Sequence, residues 1–503
     1  MSSWAVDMEK KLDDAEQPAK VERWLKHCIF RVPSRFKMAI IGGASCVYKP
    51  QTVSLGPFHH GDKDLKPMEE HKLRAVRRLL HRPNCKTTLA ELIAVVEEVA
   101  DDLQDAYMDL GQEWQGKENR GKFLEMMITD GCFLLEVMRT VAAMYQENGS
   151  IFMAVADKHG DPVFSKHGIQ HIKPFVQRDM LMIENQLPLM LLQKIVAAEE
   201  GKPPSTASIN FMVLKFLERE DVPEGLNLGL HPLDIYRTSW LKAGMKTRGD
   251  KQGQCHPQGS GFEKNGLLKI KSWMHSCFKA RQHNIHRDRG VETETGASRL
   301  PQTTTHPQRV VPRSAWKLSE AGIQFVPSNT SCLDDIDLDN WTLYMPKVLI
   351  DDSTAYKFHN MMVFEAMHVG TKNDVTAYVL FVKDLVDSTD DVRLLVKKMI
   401  LEHDLADDNA AVVRLFNGLT KDVYKNRKSQ LCRVHDDLVH HYTNHRARVN
   451  MYEWWARLRS KYFKSPWTAL ALLTAVLLLV GDIVQSVYAV LGYDPKKAKP
   501  KMD

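Results

Sequence analysis

The chain reads as mainly α: a large helical globular body with few short strands, a disordered basic insertion and one C-terminal transmembrane helix. Three observations lead there. Apolar residues recur at helical spacing through most of the sequence. Residues 246–313 lose that pattern while gaining Gly, Gln, Thr, Pro and basic residues, and a long apolar run lies near the end. A length of 503 residues is ample for one large domain or two to three ordinary ones.

Residues 1–20, MSSWAVDMEKKLDDAEQPAK, contain no apolar stretch of the kind a secretory signal requires and read as a flexible N-terminus. Residues 21–245 form the first half of the body. Pro67 suits a first helical turn and leads into Leu73, Val76, Leu79 and Leu80. Thr88-Leu89-Ala90-Glu91 is a capping box, followed by Leu92, Val95, Val96, Val99 and Leu103 on one helical face. Residues 121–145 predict an apolar helix bent near Asp130-Gly131, and residues 179–196 another built around Pro188.

The insertion, residues 246–313, holds 13 Lys/Arg against 5 Asp/Glu, a surplus larger than the whole chain's net charge of +5. Such composition buries too little apolar surface to offset the entropy of ordering. It reads as a solvated linker, or as a basic strip near anionic lipid headgroups. Aromatic residues are too sparse there to suggest a nucleic-acid partner.

Residues 314–430 are the second half. Residues 347–350 and 322–326 are the strand candidates, and residues 390–405 and 409–419 read as short amphipathic helices. Residues 431–465 suggest a juxtamembrane helix carrying Tyr452, Trp454, Trp455 and Tyr462. Four histidines there, His435, His440, His441 and His445, read as a solvated face, or, with His441 and His445 at i, i+4, as a surface metal site or pH-sensitive patch.

Residues 466–493 read as the membrane span, with residues 494–503 a short tail. Trp467 and Tyr488 would mark the two interfaces, and Leu470, Leu473, Leu477 and Val480 the lipid-facing core. Asp482 opposes this, at a cost of about 3 kcal/mol near mid-membrane. The excess of Lys and Arg before the run points to a tail anchor with a cytosolic body, at the plasma membrane or an endomembrane. The sequons at Asn148, Asn329 and Asn340 make that placement testable, because a lumenal body would be glycosylated. The 8 cysteines include no C-x-x-C pair, which fits reduced thiols and excludes a zinc ribbon or thioredoxin-like chemistry.

Ordered blocks along the chain resemble a known family. They are YKPQTVSLGPFHHGD from Tyr48, DGCFLLEVMR from Asp130, RDMLMIENQLPLMLL from Arg178, LSEAGIQF from Leu318 and MPKVLIDDSTAYKFHNMMVFE from Met345. Together they resemble the plant family catalogued as domain of unknown function 247. The resemblance implies a plant origin, membrane anchoring, no assigned biochemistry, and for some grass members a link to self-incompatibility or to defence.

Five polar residues form the candidate cluster. His59 and His60 follow Gly56-Pro57, where they bind a metal or simply hydrogen-bond the turn. Asp351 and Asp352 follow a strand-like run, where they serve acid–base chemistry or cap the next helix. Glu184 lies in an apolar stretch and must be bonded or catalytic. No phosphate-binding loop, nucleophile elbow or metalloprotease spacing occurs. The expectation is a non-enzymatic, membrane-tethered recognition or signalling protein with the bilayer and an unknown protein as partners, and with no cofactor, metal or nucleic acid. The rival is a metal-assisted hydrolase using His59, His60, Asp351 and Asp352.

Overall fold

At the centre lies a 25-residue helix that is apolar on almost every side, as a helix enclosed by others must be. The computed structural model describes residues 3–15, 24, 26–38, 47–83, 85–144, 161–219, 226–241, 314–405, 408–421, 423, 430–444, 450–452, 454–455 and 466–491. The described residues belong to one unit, Met1–Gly244 with Val311–Asp503. The second unit, Met245–Val310, takes in nearly all of the basic insertion and lies outside them.

In chain order the helices of the first half are α1 Ser3–Ala15, α2 Ser34–Met38, α3 Glu69–Leu80, α4 Leu89–Glu97, α5 Ala100–Asp105, α6 Arg120–Met144, α7 Lys166–Asp179, α8 Leu189–Glu200, α9 Thr206–Phe216 and α10 Pro232–Leu241. The central helix is α6, and α3, α4, α7, α8 and α9 pack around it. Phe123, Met127, Phe133, Leu134, Leu135 and Val137 on α6 are fully buried. At roughly 1.5–3 kcal/mol per buried large side chain, this helix anchors the first half.

α6 continues as one helix through Asp130-Gly131. The carboxylate of Asp130 is held at 2.6 Å by Lys72 Nζ from α3, so the helix accommodates it in place. The expected capping box is present: Thr88 accepts from Glu91 N–H and the Glu91 carboxylate accepts from Thr88 N–H. The 179–196 helix, by contrast, divides. α7 ends at Asp179, residues 180–188 are non-helical and buried, and α8 starts after Pro188. Pro188 has no N–H to give and disfavours helix in the residue before it.

The second half holds α11 Ala315–Glu320, α12 Thr354–Met367, α13 Asp374–Leu385, α14 Thr389–Lys397, α15 Asn409–Leu419, α16 Gln430–Asn444 and α17 Pro466–Leu491. Strands β1 Gln324–Pro327, β2 Asp337–Asp339 and β3 Thr342–Met345 form a small sheet in the order β1-β3-β2. β3 is parallel to β1 and antiparallel to β2, and Leu343 stands opposite both Phe325 and Leu338. β4 Val348–Ile350 pairs in parallel with β5 Leu401–His403. The contact of α12 with α10 joins the two halves of the body.

One expectation of the fold class is overturned. α17 forms, but no helix among the described residues is long and apolar enough to cross a membrane. The charge-free part of α17 before Asp482 covers about 24 Å at 1.5 Å rise, short of the roughly 30 Å hydrocarbon core. Trp467, Leu470, Leu473, Leu477 and Val480 are exposed residues of a helix that does not meet the requirement for a span. The Tyr488 side chain lies outside the described residues, as do Asn148, His445 and the tail from 492. The mainly helical class with few strands stands.

Candidate functional site

The segment from Val47 to Phe58 runs through the interior, and its backbone amides are bonded by side chains distant in sequence. Asp179, at the end of α7, accepts from Gln51 N–H at 2.9 Å, Thr52 N–H at 2.7 Å and Val53 N–H at 2.9 Å. Asn185 accepts from Leu55 N–H at 2.7 Å and donates to Val53 C=O at 3.1 Å. Asp130 accepts from Gly56 N–H at 2.8 Å. An irregular buried segment has no ladder of its own, so these side chains supply its partners. Burial pushes the Asp179 and Asp130 carboxyls up, against the downward pull of the amides on Asp179 and of Lys72 on Asp130.

Glu184 works in the same manner. Its Oε1 accepts from Val32 N–H at 2.6 Å and pairs with Lys37 Nζ at 2.8 Å, while Oε2 lies 3.2 Å from His59 Nε2. Burial raises its pKa, but the bonds from His59, Lys37 and Val32 outweigh this and hold the carboxyl below its usual range. The other ring nitrogen of His59, Nδ1, lies 3.4 Å from Asp62. Next to Glu184, Gln186 donates to the carbonyls of Met180 and Met182 and accepts from Leu233 N–H.

The structure therefore brings His59 and Glu184 together. His60 instead faces Trp114 edge-on at 5.3 Å between ring centres. Asp351 accepts from Ser353 Oγ at 2.6 Å and Thr354 Oγ1 at 2.8 Å, closing the turn that starts α12. Burial would raise the Asp351 carboxyl, but those two hydroxyls hold it below the usual range. Asp352 is exposed beside it. Among the described residues no hydrogen bond or ion pair joins either aspartate to His59, His60 or Glu184. Nor does any group of three or more His, Cys, Asp or Glu there have metal-holding geometry. His441 packs edge-on against Trp341 at 6.1 Å.

Several working residues escaped the sequence reading. Lys72, fully buried, joins Asp130 to Glu69 at 2.7 Å and Ser54 at 2.8 Å. Asn360 on α12 donates to Val47 C=O and accepts from Ile183 N–H, joining the second half to the first. Glu365 takes Arg237 and the amides of Val375 and Thr376. A polar side chain beside an apolar run was the available signal for Asn360 and Glu365, whereas Lys72 lies in the charged stretch EEHKLRAVRR, which gave none.

A concave surface opens where α6, α7 and α9 meet. It consists of two adjoining hollows of about 580 and 550 Å³ that share Val141, Lys173 and Glu218. Met138 and Val141 from α6 and Met212 and Phe216 from α9 line its apolar part, and Phe211 is half exposed at the lip. Lys166, Lys173, Lys215 and Arg219 line it as well, against one acidic residue among the described ones, Glu218. Glu218 ends α9 with φ +59, where its N–H reaches Lys215 C=O, and its carboxylate returns to Lys173 at 2.6 Å. Gln177 donates to Phe216 C=O at 2.6 Å, fixing α7 against the end of α9. Pro174 within α7 withholds the N–H that the Gln170 carbonyl at the groove would otherwise receive. TASINFMVLKF spreads apolar residues around the whole of α9, more than one buried face needs, and that was the legible signal.

Fold and site thus define a mainly helical body whose signature polar residues clamp a buried irregular segment, with an apolar groove edged by cations. The chain belongs to a plant protein family of unknown function, domain of unknown function 247, which it matches over residues 29–481. It is similar to two curated proteins of Arabidopsis thaliana. One is the UPF0481 protein At3g47200, 26% identical over 93% of this chain and 87% of the relative. The other is the putative UPF0481 protein At3g02645, 24% identical over 95% of this chain and 92% of the relative. No solved structure matches significantly.

Proposed function

We propose that this chain is a plant recognition or signalling protein that acts without catalysis, through protein–protein contacts at the α6/α7/α9 groove, in self-incompatibility or defence. The observation that carries this reading is the pairing of an apolar concavity with four bordering cations. Such surfaces suit an amphipathic helix of acidic character, whose apolar face fills the groove while its carboxylates meet the edge. The polar residues of the candidate cluster support it too, since Glu184 and Asp351 are already bonded within the fold. In this reading the body lies in the cytosol, and the thiols of Cys28, Cys85 and Cys132, which form no disulfide, support it.

Proximity labelling in the native tissue tests the reading, with the full chain compared to Phe211→Asp/Lys215→Glu. Both substitutions replace part-exposed groove residues, and an unchanged circular dichroism spectrum serves as the folding control. The reading expects a defined subset of neighbours to disappear from the variant. An identical set of neighbours would overturn it.

A further inference from the structure

The groove has a counterpart elsewhere in the chain. Helix α1 presents Trp4, Met8 and Leu12 at i, i+4 and i+8, a single stripe along one side. All three are exposed, at 73%, 51% and 57%. A stripe of that size is not left to water without cost, since covering apolar surface is favourable. By sequence, Ser3–Ala15 holds four acidic and two basic residues, a net charge of −2. Among its described lining residues the groove has four cations and one carboxylate, Glu218, which already pairs with Lys173.

We infer that the groove is the seat of helix α1 from a second copy of this chain, an assignment that rests on reading the groove as a protein-contact surface. Within its own chain α1 stands with its stripe exposed. Trp4, Met8 and Leu12 are the anchors, filling the apolar part beside Val141, Phe211 and Met212. The acidic residues of α1 meet Lys215 and its neighbours on the edge. Because helix and groove are different surfaces, the contact is heterologous: each copy gives one helix and receives another. A single short helix buries an area at the low end for specific contacts, so association is weak, with a dissociation constant on the order of 10 µM. Weak head-to-tail pairing suits a recognition protein that gathers only where its local concentration is high.

Sedimentation velocity of the full chain tests this with two variants and their mixture. The first, Trp4→Ser/Met8→Ser/Leu12→Ser, loses the stripe; the second, Phe211→Asp/Lys215→Glu, loses the groove. The wild type is expected to associate with rising concentration, and each variant to do so at least about tenfold more weakly. Mixed in equal amounts, the two variants are expected to form a one-to-one pair that grows no further, one giving the groove and the other the helix. A wild type that stays monomeric overturns the proposal, including the case in which its own α1 covers the groove. Association that persists in both variants, through the exposed apolar residues of α17 for example, overturns it as well. So does a mixture that fails to pair. None of these results decides the tissue-labelling experiment, which stands separately.

Discussion

Asp179 shows how single residues hold this molecule. One carboxylate bonds three consecutive amides of the Val47–Phe58 segment. Asp179→Ala would leave three amides without their partner and is expected to destabilise the fold by about 3 kcal/mol or more, measured by denaturant unfolding. Gly56, in the same segment, has φ +76, and a Cβ there would lie 2.7 Å from Tyr107 Oη and 2.9 Å from Gln186 C=O. Gly56→Ala is therefore expected to cost about 2 kcal/mol or more by the same measurement. Two histidines, His231 fully buried and His359 partly so, set a pH dependence. His231 donates from Nε2 to Cys28 C=O and accepts at Nδ1 from Asp234 N–H, which commits it to the neutral ring. Burial lowers His231 and His359 from 6.5 to about 4. Both folded values lie below the unfolded one, so from about pH 6.5 down to 4 the unfolded chain binds more protons and stability falls as pH falls. The buried acids Asp130 and Asp179, raised by burial, act with the opposite sign. The histidine share is isolated by His359→Phe, whose stability should depend less steeply on pH in that window. Identical slopes for wild type and variant would contradict the assignment.

At the scale of elements, the capping box of α4 is the clearest case of sequence dictating structure. Thr88→Ala removes an exposed cap and should lower stability by about 1 kcal/mol with no loss of the fold. A change of several kcal/mol would mean that Thr88 serves some further purpose. The helices with one apolar face or a cap signal, α3, α4, α14 and α15, were legible for that reason, as were the strands β1 and β4. The division of residues 179–196 was not, because apolar residues fill a buried irregular segment as readily as a buried helix. What decides between them is the set of side-chain bonds from Asp179, Asn185 and Gln186, which pair residues far apart in the chain. Helix α17 marks the opposite failure. Its Leu and Val run was legible, but its length before Asp482 falls short of a span. The groove escaped notice because three helices make it, and the apolar surplus of α9 alone does not show where α6 and α7 meet it.

For the molecule as a whole, polarity is arranged in two zones. Inside, carboxylates and amides join segments distant in sequence: Glu184 to Val32, Asp130 to Gly56, Asn360 to Val47. Outside, the α6/α7/α9 groove offers apolar surface with cations at its edge. The signature blocks that carry the family resemblance fall largely in the first zone, which explains why they reveal the fold more readily than the activity. The central claim is that the second zone receives a protein. Phe211 and Trp316 are almost equally exposed, at 50% and 48%, and Trp316 does not line the groove, so the two form a matched pair for a photoreactive phenylalanine analogue. Ultraviolet irradiation of each full-length protein in plant tissue should give a discrete protein adduct from position 211 and none of that size from position 316. Adducts that are absent at 211, or the same from both positions, would contradict the account.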